Sequence, residues 1–339
     1  MKIIKPSATY LSHKDITPYE FIEKVGRTCY KSEDRITKGS AKKFIENLVN
    51  RNHWAMLEHE TLYLVTSYIF MKDFLEEMSS LNEQLTYFNI THSEDTNVIS
   101  GSFRSFNDLF ERVLFQSKTL NVIRVGLTFV YPEVFRTIHT SDKLTINIGD
   151  YADYECILVT RESFIDKFLV SSPQVLYKHL THTVKFVCDR GVSHEFVRHR
   201  PCSFAQESTR YCNYSLDKFG DEITVIKPLF FEQWDKDLDN RCETMSYGLW
   251  ARSCEQAEKA YFNLLKEGAT PQEARSVLPN SLKTELIITA TEEEWGHVVD
   301  LRFRGTTGAP HPQMKEVMSM ALKDLLEASC GRIVIYEYQ

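Results

Sequence analysis

Apolar and polar positions along this chain repeat with two different periods, and the period changes often enough to predict a mixture of helices and strands. Thr17-Pro18-Tyr19-Glu20 offers a Thr N-cap, a Pro at the first helical position and a Glu at the third, which is a capping box. Phe21, Val25 and Cys29 follow at i, i+4 and i+8, so the spacing predicts a helix with one buried stripe. A second helix is expected from Ser40, with Phe44, Leu48 and Val49 facing inward, ending near Asn50-Arg51-Asn52. His53 to His59 reads as a connection and Thr61 to Thr66 as a strand. Met71 to Leu81 and Ser105 to Gln116 carry helical periodicity. Leu127 to Tyr131, Leu144 to Ile148 and Ile157 to Thr160 are β-branched or aromatic runs, expected as strands.

Beyond Thr183 the signals sharpen. Thr183 to Cys188 predicts a strand, Asp189-Arg190-Gly191 a turn, and Ser193 an N-cap for a short helix that Pro201 stops. Residues 202 to 216 read as a polar loop, and Leu238 to Lys266 as a long helix ended by Gly268. Thr270-Pro271-Gln272-Glu273 is a second capping box, opening a helix that carries Arg275 and stops by Pro279. Leu282 to Ala290 alternates like a strand. Thr291 and Glu294 cap a helix on which Trp295, Val298, Val299 and Arg302 share a face. Met314 to Leu326 is expected as a last long helix and Arg332 to Tyr338 as a closing strand. Strands and helices mix without a βαβ rhythm, so the fold class is α+β, with helices around a central, mainly antiparallel sheet.

Composition narrows the function classes. With 42% hydrophobic and 26% charged residues among 339, the chain is an ordinary globular protein. A net charge of −7 argues against binding nucleic acid with the whole surface. No apolar run approaches the ~18 residues that span a bilayer. Met1-Lys2-Ile3-Ile4-Lys5-Pro6 lacks the apolar core of a signal peptide. The 8 cysteines are scattered without a CxxC pair, which suits free thiols and a cytoplasmic location.

The densest chemistry lies in residues 194 to 211. His194-Glu195-Phe196-Val197-Arg198-His199-Arg200 and Gln206-Glu207-Ser208-Thr209-Arg210-Tyr211 offer three guanidiniums, two imidazoles and several hydroxyls. Planar guanidinium forks and loop N–H groups suit a phosphate or a diphosphate. A solvated loop whose arginines pair with Glu195 and Glu207 is an equal alternative on charge alone. His53 with His59, and His194 with His199, lack the i, i+4 spacing of a helical metal site, so no metal is expected. Ser208 has no evident base beside it and is not read as a nucleophile.

The order of these residues resembles the flavin-dependent thymidylate synthases. Arg198-His199-Arg200, then Ser208 and Arg210-Tyr211, is similar to the signature of that family. Arg27 to Ser32, His53 to Glu58-His59, Arg275 to Leu278-Pro279, and Trp295 to Arg302 followed by Ala309 to Met314 resemble its other motifs, in its order. The resemblance covers residues 1–64 and 181–339, so residues 65–180 are expected to be an inserted α/β subdomain of unassigned role. It implies an FAD-dependent methyltransferase that converts dUMP to dTMP, with methylenetetrahydrofolate as carbon donor and NADPH as reductant. It also implies a homotetramer with shared active sites. A non-catalytic nucleotide- or RNA-binding relative, or a degenerate member, is the competing reading, although a binding module has no need of Arg275 and Arg302 in these contexts.

By resemblance, FAD falls to His53, Glu58, Arg198, His199, Arg200, Gln206, Thr291 and His297. The nucleotide falls to Glu195, Phe196, Val197, Arg198, Gln206, Glu207, Ser208, Thr209, Arg210, Arg275 and Arg302, with Arg210 and Arg275 on the phosphate. Arg302 matches the arginine that faces the uracil ring, where a guanidinium favours the deprotonated, electron-rich pyrimidine. A bland alternative for Arg302 is a snorkelling side chain at a helix edge. The chain departs from the pattern at Ala55, Ala205, Gln206, Glu293 and Gly296, where members more often carry polar or basic groups.

Overall fold

The computed structural model describes residues 1–113, 116–135, 154–210, 213–216, 220–231 and 241–335. These contain the strands β1 (Lys2–Ile4), β2 (Ser7–Tyr10), β3 (Thr61–Thr66), β4 (Phe88–His92), β5 (Asn97–Ser102), β6 (Cys156–Val159), β7 (Thr181–Asp189), β8 (Ser203–Gln206), β9 (Thr224–Ile226) and β10 (Lys283–Thr291). The fold is α+β, and the pairings within its two four-stranded sheets that are resolved are antiparallel. The chain divides into two compact units. One comprises residues 1–12, 25–35 and 182–339, the other residues 13–24 and 36–181.

The first unit is built on the sheet β2-β7-β10-β8. In β7, Val184, Phe186 and Cys188 alternate into a core that Leu286, Ile288 and Ala290 of β10 enter at the same period. The helices Glu292–Val299 and Pro312–Ala328 close that core with Trp295, Val298, Met314, Val317 and Met318. Trp295 is fully buried, and its Nε1–H donates to the His182 carbonyl at 2.9 Å, which satisfies the ring's polar handle. A smaller cluster around Val225, Tyr261 and Leu282 lies beneath the parallel pair β1 and β9.

The second unit carries the sheet β4-β5-β3-β6. Tyr63 and Val98 pack there against Phe164, Phe168, Val175 and Leu176 from the helices Arg161–Phe168 and Pro173–His179. Because β3 is hydrogen-bonded on both sides, to β5 and β6, the expected boundary at residues 64/65 falls inside a strand of this unit.

Many local expectations hold. Both capping boxes are present: Thr17 with Glu20 opens the helix Pro18–Tyr30, and Thr270 with Glu273 opens Pro271–Ala274. Phe21, Val25, Cys29, Phe44, Leu48 and Val49 are all buried. Four elements differ. Leu127 to Val130 is the last turn of the helix Lys118–Val130, because Leu120, Ile123 and Leu127 are buried at helical spacing. Part of the expected polar loop 202–216 is the strand β8, formed by non-local pairing with β10. Asp189, not Ser193, caps the helix Arg190–Phe196. Arg332–Ile335 is helical rather than a strand, and residues 336–339 lie outside the described residues. The expected strand Leu144 to Ile148 and residues 238–240 of the expected long helix also lie outside them; that helix is described as Arg241–Lys266.

Candidate functional site

In the first unit, β7 ends at Asp189, whose Oδ1 accepts from the Val192 N–H at 2.8 Å and so starts the helix Arg190–Phe196. The other oxygen, Oδ2, accepts from Gln313 Nε2 at 2.6 Å, tying this cap to the helix Pro312–Ala328. The helix stops where Phe196 enters the core, its ring 4.7 Å from that of Phe186. Two turns follow, His199 N–H to Phe196 O and Cys202 N–H to His199 O, and deliver the chain to β8. In that stretch His199 and Cys202 are buried while Arg198 and Arg200 are exposed. Neither arginine makes a hydrogen bond or ion pair to a described residue. The expected pairing of the loop's arginines with Glu195 and Glu207 is therefore absent for these two.

Arg302 sits on a π-helical turn, Asp300–Arg304, that continues the helix Glu292–Val299. Such turns are often found at functional sites. Gly305 ends it at φ +76°, where an added Cβ would lie 2.8 Å from the Gly308 carbonyl oxygen. The Arg302 guanidinium is held on three sides. Nε–H donates to His199 Nε2 at 3.0 Å, one terminal nitrogen to Glu195 Oε2 at 3.1 Å, and the other to the Glu195 carbonyl at 2.9 Å. A snorkelling arginine would not be bound this way; here the distant turn is locked onto the signature helix and loop.

His199 must accept at Nε2, so its proton lies on Nδ1. Burial, reinforced by the charges of Arg302 and His297, lowers it to about 4. The ring is therefore neutral near pH 7, and its 3.9 Å approach to Glu294 Oε1 is not an ion pair. His297, exposed, sets its ring edge-on at 5.8 Å. His199, Glu294 and His297 place one donor atom each within 4.8 Å of one another. A cation there would require the Nδ1 proton to leave, so this tautomer does not present a metal ligand. Thr291 caps its helix, its hydroxyl accepting from the Glu294 N–H at 3.2 Å.

The nucleotide end of the loop is tied down residue by residue. Gln206 Nε2 donates to Ser193 Oγ at 2.9 Å and Thr284 Oγ1 at 3.2 Å, so that amide is engaged within the fold. Glu207 is buried and accepts from Lys283 Nζ at 2.8 Å. Ser208 N–H donates to the Cys29 carbonyl at 3.2 Å, and Ser208 Oγ accepts from the Arg210 N–H at 3.3 Å. Arg275, exposed at the end of the second capping-box helix, donates to Thr209 Oγ1 at 3.4 Å. This contact brings Arg275 to the Ser208–Arg210 segment. Val197 is 42% exposed, whereas Phe196 has no side-chain surface to offer a ligand. Beside Glu195 lies a cavity of about 210 Å3, lined also by Asp189, Asn280, Ser281 and His311. His53 and Glu58 belong to the second unit. There Glu58 pairs with Arg104 at 2.5 Å, and His53 is an exposed residue just before the 3-10 helix Trp54–His59.

One cluster escaped the sequence reading. Lys31, Lys185 and Lys283 converge on the buried Glu285, at 2.6, 2.5 and 2.6 Å. Burial alone would raise Glu285, but Lys283, Lys185 and Lys31 outweigh it and hold the carboxyl at about 2. The signal was Lys283-Thr284-Glu285, two opposite charges on one side of an otherwise apolar strand.

The sequence profile of the thymidylate synthase complementing protein family matches residues 130–328, more than half of the chain. The chain belongs to this family. The match contains the Arg198-His199-Arg200 loop, Arg275 and Arg302, whereas the motifs at Arg27 to Ser32 and His53 to His59 precede it. Among relatives, a flavin-dependent thymidylate synthase from Pyrococcus furiosus is 28% identical over 142 residues, 42% of this chain and 54% of the relative. One from Corynebacterium aurimucosum is 25% identical over 186 residues, 50% of this chain and 68% of the relative. The chain spans about half the length of most of the curated relatives it matches. A solved structure of the UMP/dUMP methylase PolB from Streptomyces cacaoi aligns with 98% of this chain and 96% of its own, at 13% identity and a TM-score of 0.39.

Proposed function

We propose that this family member is a flavin-dependent thymidylate synthase, reductively methylating dUMP to dTMP with methylenetetrahydrofolate as carbon donor and NADPH as reductant. The observation that carries the reading is the Arg198-His199-Arg200 loop. It presents two exposed guanidiniums, without partners among the described residues, on either side of a buried neutral histidine that Arg302 grips. Two exposed guanidiniums so placed fit a diphosphate, so the donor set suits FAD. Flavin, when bound, supplies the redox chemistry of the reaction.

The chain's own residues bind, orient and polarise. Arg198 and Arg200 hold the cofactor's anionic part, and His199, Thr291 and His297 border it. Arg210 and Arg275 hold the phosphate of dUMP, with Ser208 and Thr209 supplying hydroxyls beside them. Arg302 is kept in one orientation by Glu195 and by the neutral His199. Beside a pyrimidine it would favour the electron-rich, deprotonated ring, which raises the nucleophilicity of the uracil carbon that is methylated. His53 and Glu58 are assigned to the flavin by resemblance alone, and the homotetramer with shared active sites and the inserted subdomain at residues 65–180 rest on the same resemblance, whereas the cytoplasmic location rests on the scattered cysteines. Among the described residues no helix is long and apolar enough to cross a membrane.

An absorbance spectrum tests the reading. The purified protein should show flavin bands that shift as dUMP is added. A colourless protein that FAD does not reconstitute would sink it.

A further inference from the structure

The lysine–glutamate cluster around Glu285 is not needed by the residues assigned above, yet it meets the nucleotide loop at two points. β8 ends at Gln206, but the Glu207 N–H still donates to the Glu285 carbonyl at 2.8 Å, extending the ladder by one residue. The Glu207 side chain turns inward, 3% exposed, and takes a hydrogen bond from Lys283 Nζ, which also donates to Glu285 Oε1 at 2.6 Å. The next residue, Ser208, hangs from the Cys29 carbonyl. Lys31 follows Cys29 by two residues, in the left-handed region at φ +48°, and returns to Glu285 Oε1 at 2.6 Å. Both attachments of the loop are therefore tied to one carboxylate.

Buried ion pairs are weak contributors to stability, and their best-attested use is to specify one geometry among several. Glu207 is the single carboxylate in the run Gln206–Arg210, where a free negative charge would repel an anion. Its pairing with Lys283 removes that repulsion and sets the direction in which the chain leaves β8.

We propose that Lys283, Glu285 and Lys31 are positioning residues that, through Glu207, fix the Ser208–Arg210 segment for the phosphate of the nucleotide. This rests on the proposed dUMP site.

The test is dUMP binding by calorimetry to the flavin-loaded full chain, together with KM and kcat for dUMP. Lys283→Met and Glu207→Gln should each weaken dUMP and raise its KM by about tenfold or more, with kcat at saturation and flavin content changed much less. Lys283→Arg should restore most of the affinity. Glu207→Gln keeps the lysine, so its loss of affinity separates positioning from direct contact between Lys283 and the ligand. If Lys283→Met is too unstable to load flavin, Glu207→Gln and Lys31→Met decide the matter. Variants that melt earlier but bind dUMP as the wild type does would overturn the inference and leave the proposed function standing. A wild-type chain that binds flavin but no dUMP would overturn both.

Discussion

Arg302 joins residues more than a hundred positions apart, and its value to the site lies in that geometry. Its three hydrogen bonds to Glu195 and His199 place a permanent positive charge at the edge of the signature loop. Arg302→Ala should leave flavin absorbance intact and lower dTMP formation by roughly a hundredfold or more, the scale set by removing one electrostatic stabiliser. Single-turnover assays check this, and unchanged turnover would refute the role. At this scale the motif was readable, but not which of its side chains face outward. Phe196 and Glu207 stand among ligand-type residues in the sequence, yet both point inward. The reason is local: Phe196 ends a one-sided helix over the core, and Glu207 has a lysine waiting two residues before Glu285 on the neighbouring strand.

The elements that carry the site are held by short-range devices whose loss has a definite cost. Asp189→Ala removes the cap of Arg190–Phe196 and the bond to Gln313, and should cost about 1–2 kcal/mol in denaturant melts. Gly305→Ala forces a side chain into positive φ and into the Gly308 carbonyl, and should cost about 1–3 kcal/mol. It should also weaken the hold on Arg302, seen as lower turnover in protein that still melts cooperatively. Devices of this kind explain what the sequence disclosed. Capping boxes and buried stripes are encoded within a few residues, so the helices opened by Thr17 and Thr270 were legible. β8 was not, because its four residues owe their strand to β10, some eighty positions away. Leu127 misled because an apolar run has no period of its own; only the burial of Leu120 and Ile123 reveals the helix.

Across the whole molecule, each compact unit carries a buried histidine that resists protonation. Burial lowers His179, in the second unit, to about 3, and it lowers His199, in the first, to about 4. Each unfolded histidine takes up its proton near 6.5. Between 6.5 and the folded value the unfolded state binds more protons, so stability falls as the pH is lowered through that window. The stability advantage of wild type over His179→Asn should therefore shrink by about 1.4 kcal/mol per pH unit below 6.5. A difference that stays constant from pH 7 to pH 4 would show that His179 titrates normally. The division into two units was only partly legible. Thr61 to Thr66 was readable as a strand, but its two partners, β5 and β6, lie in later sequence, and nothing local assigns it to their sheet. The central claim, that the Arg198-His199-Arg200 loop and Arg302 serve thymidylate synthesis, is tested most directly by product formation. The chain loaded with FAD and given NADPH, methylenetetrahydrofolate and dUMP should form dTMP, and should cease to do so when any one of the four is withheld. Flavin-loaded protein that consumes no dUMP and forms no dTMP under those conditions would contradict the account.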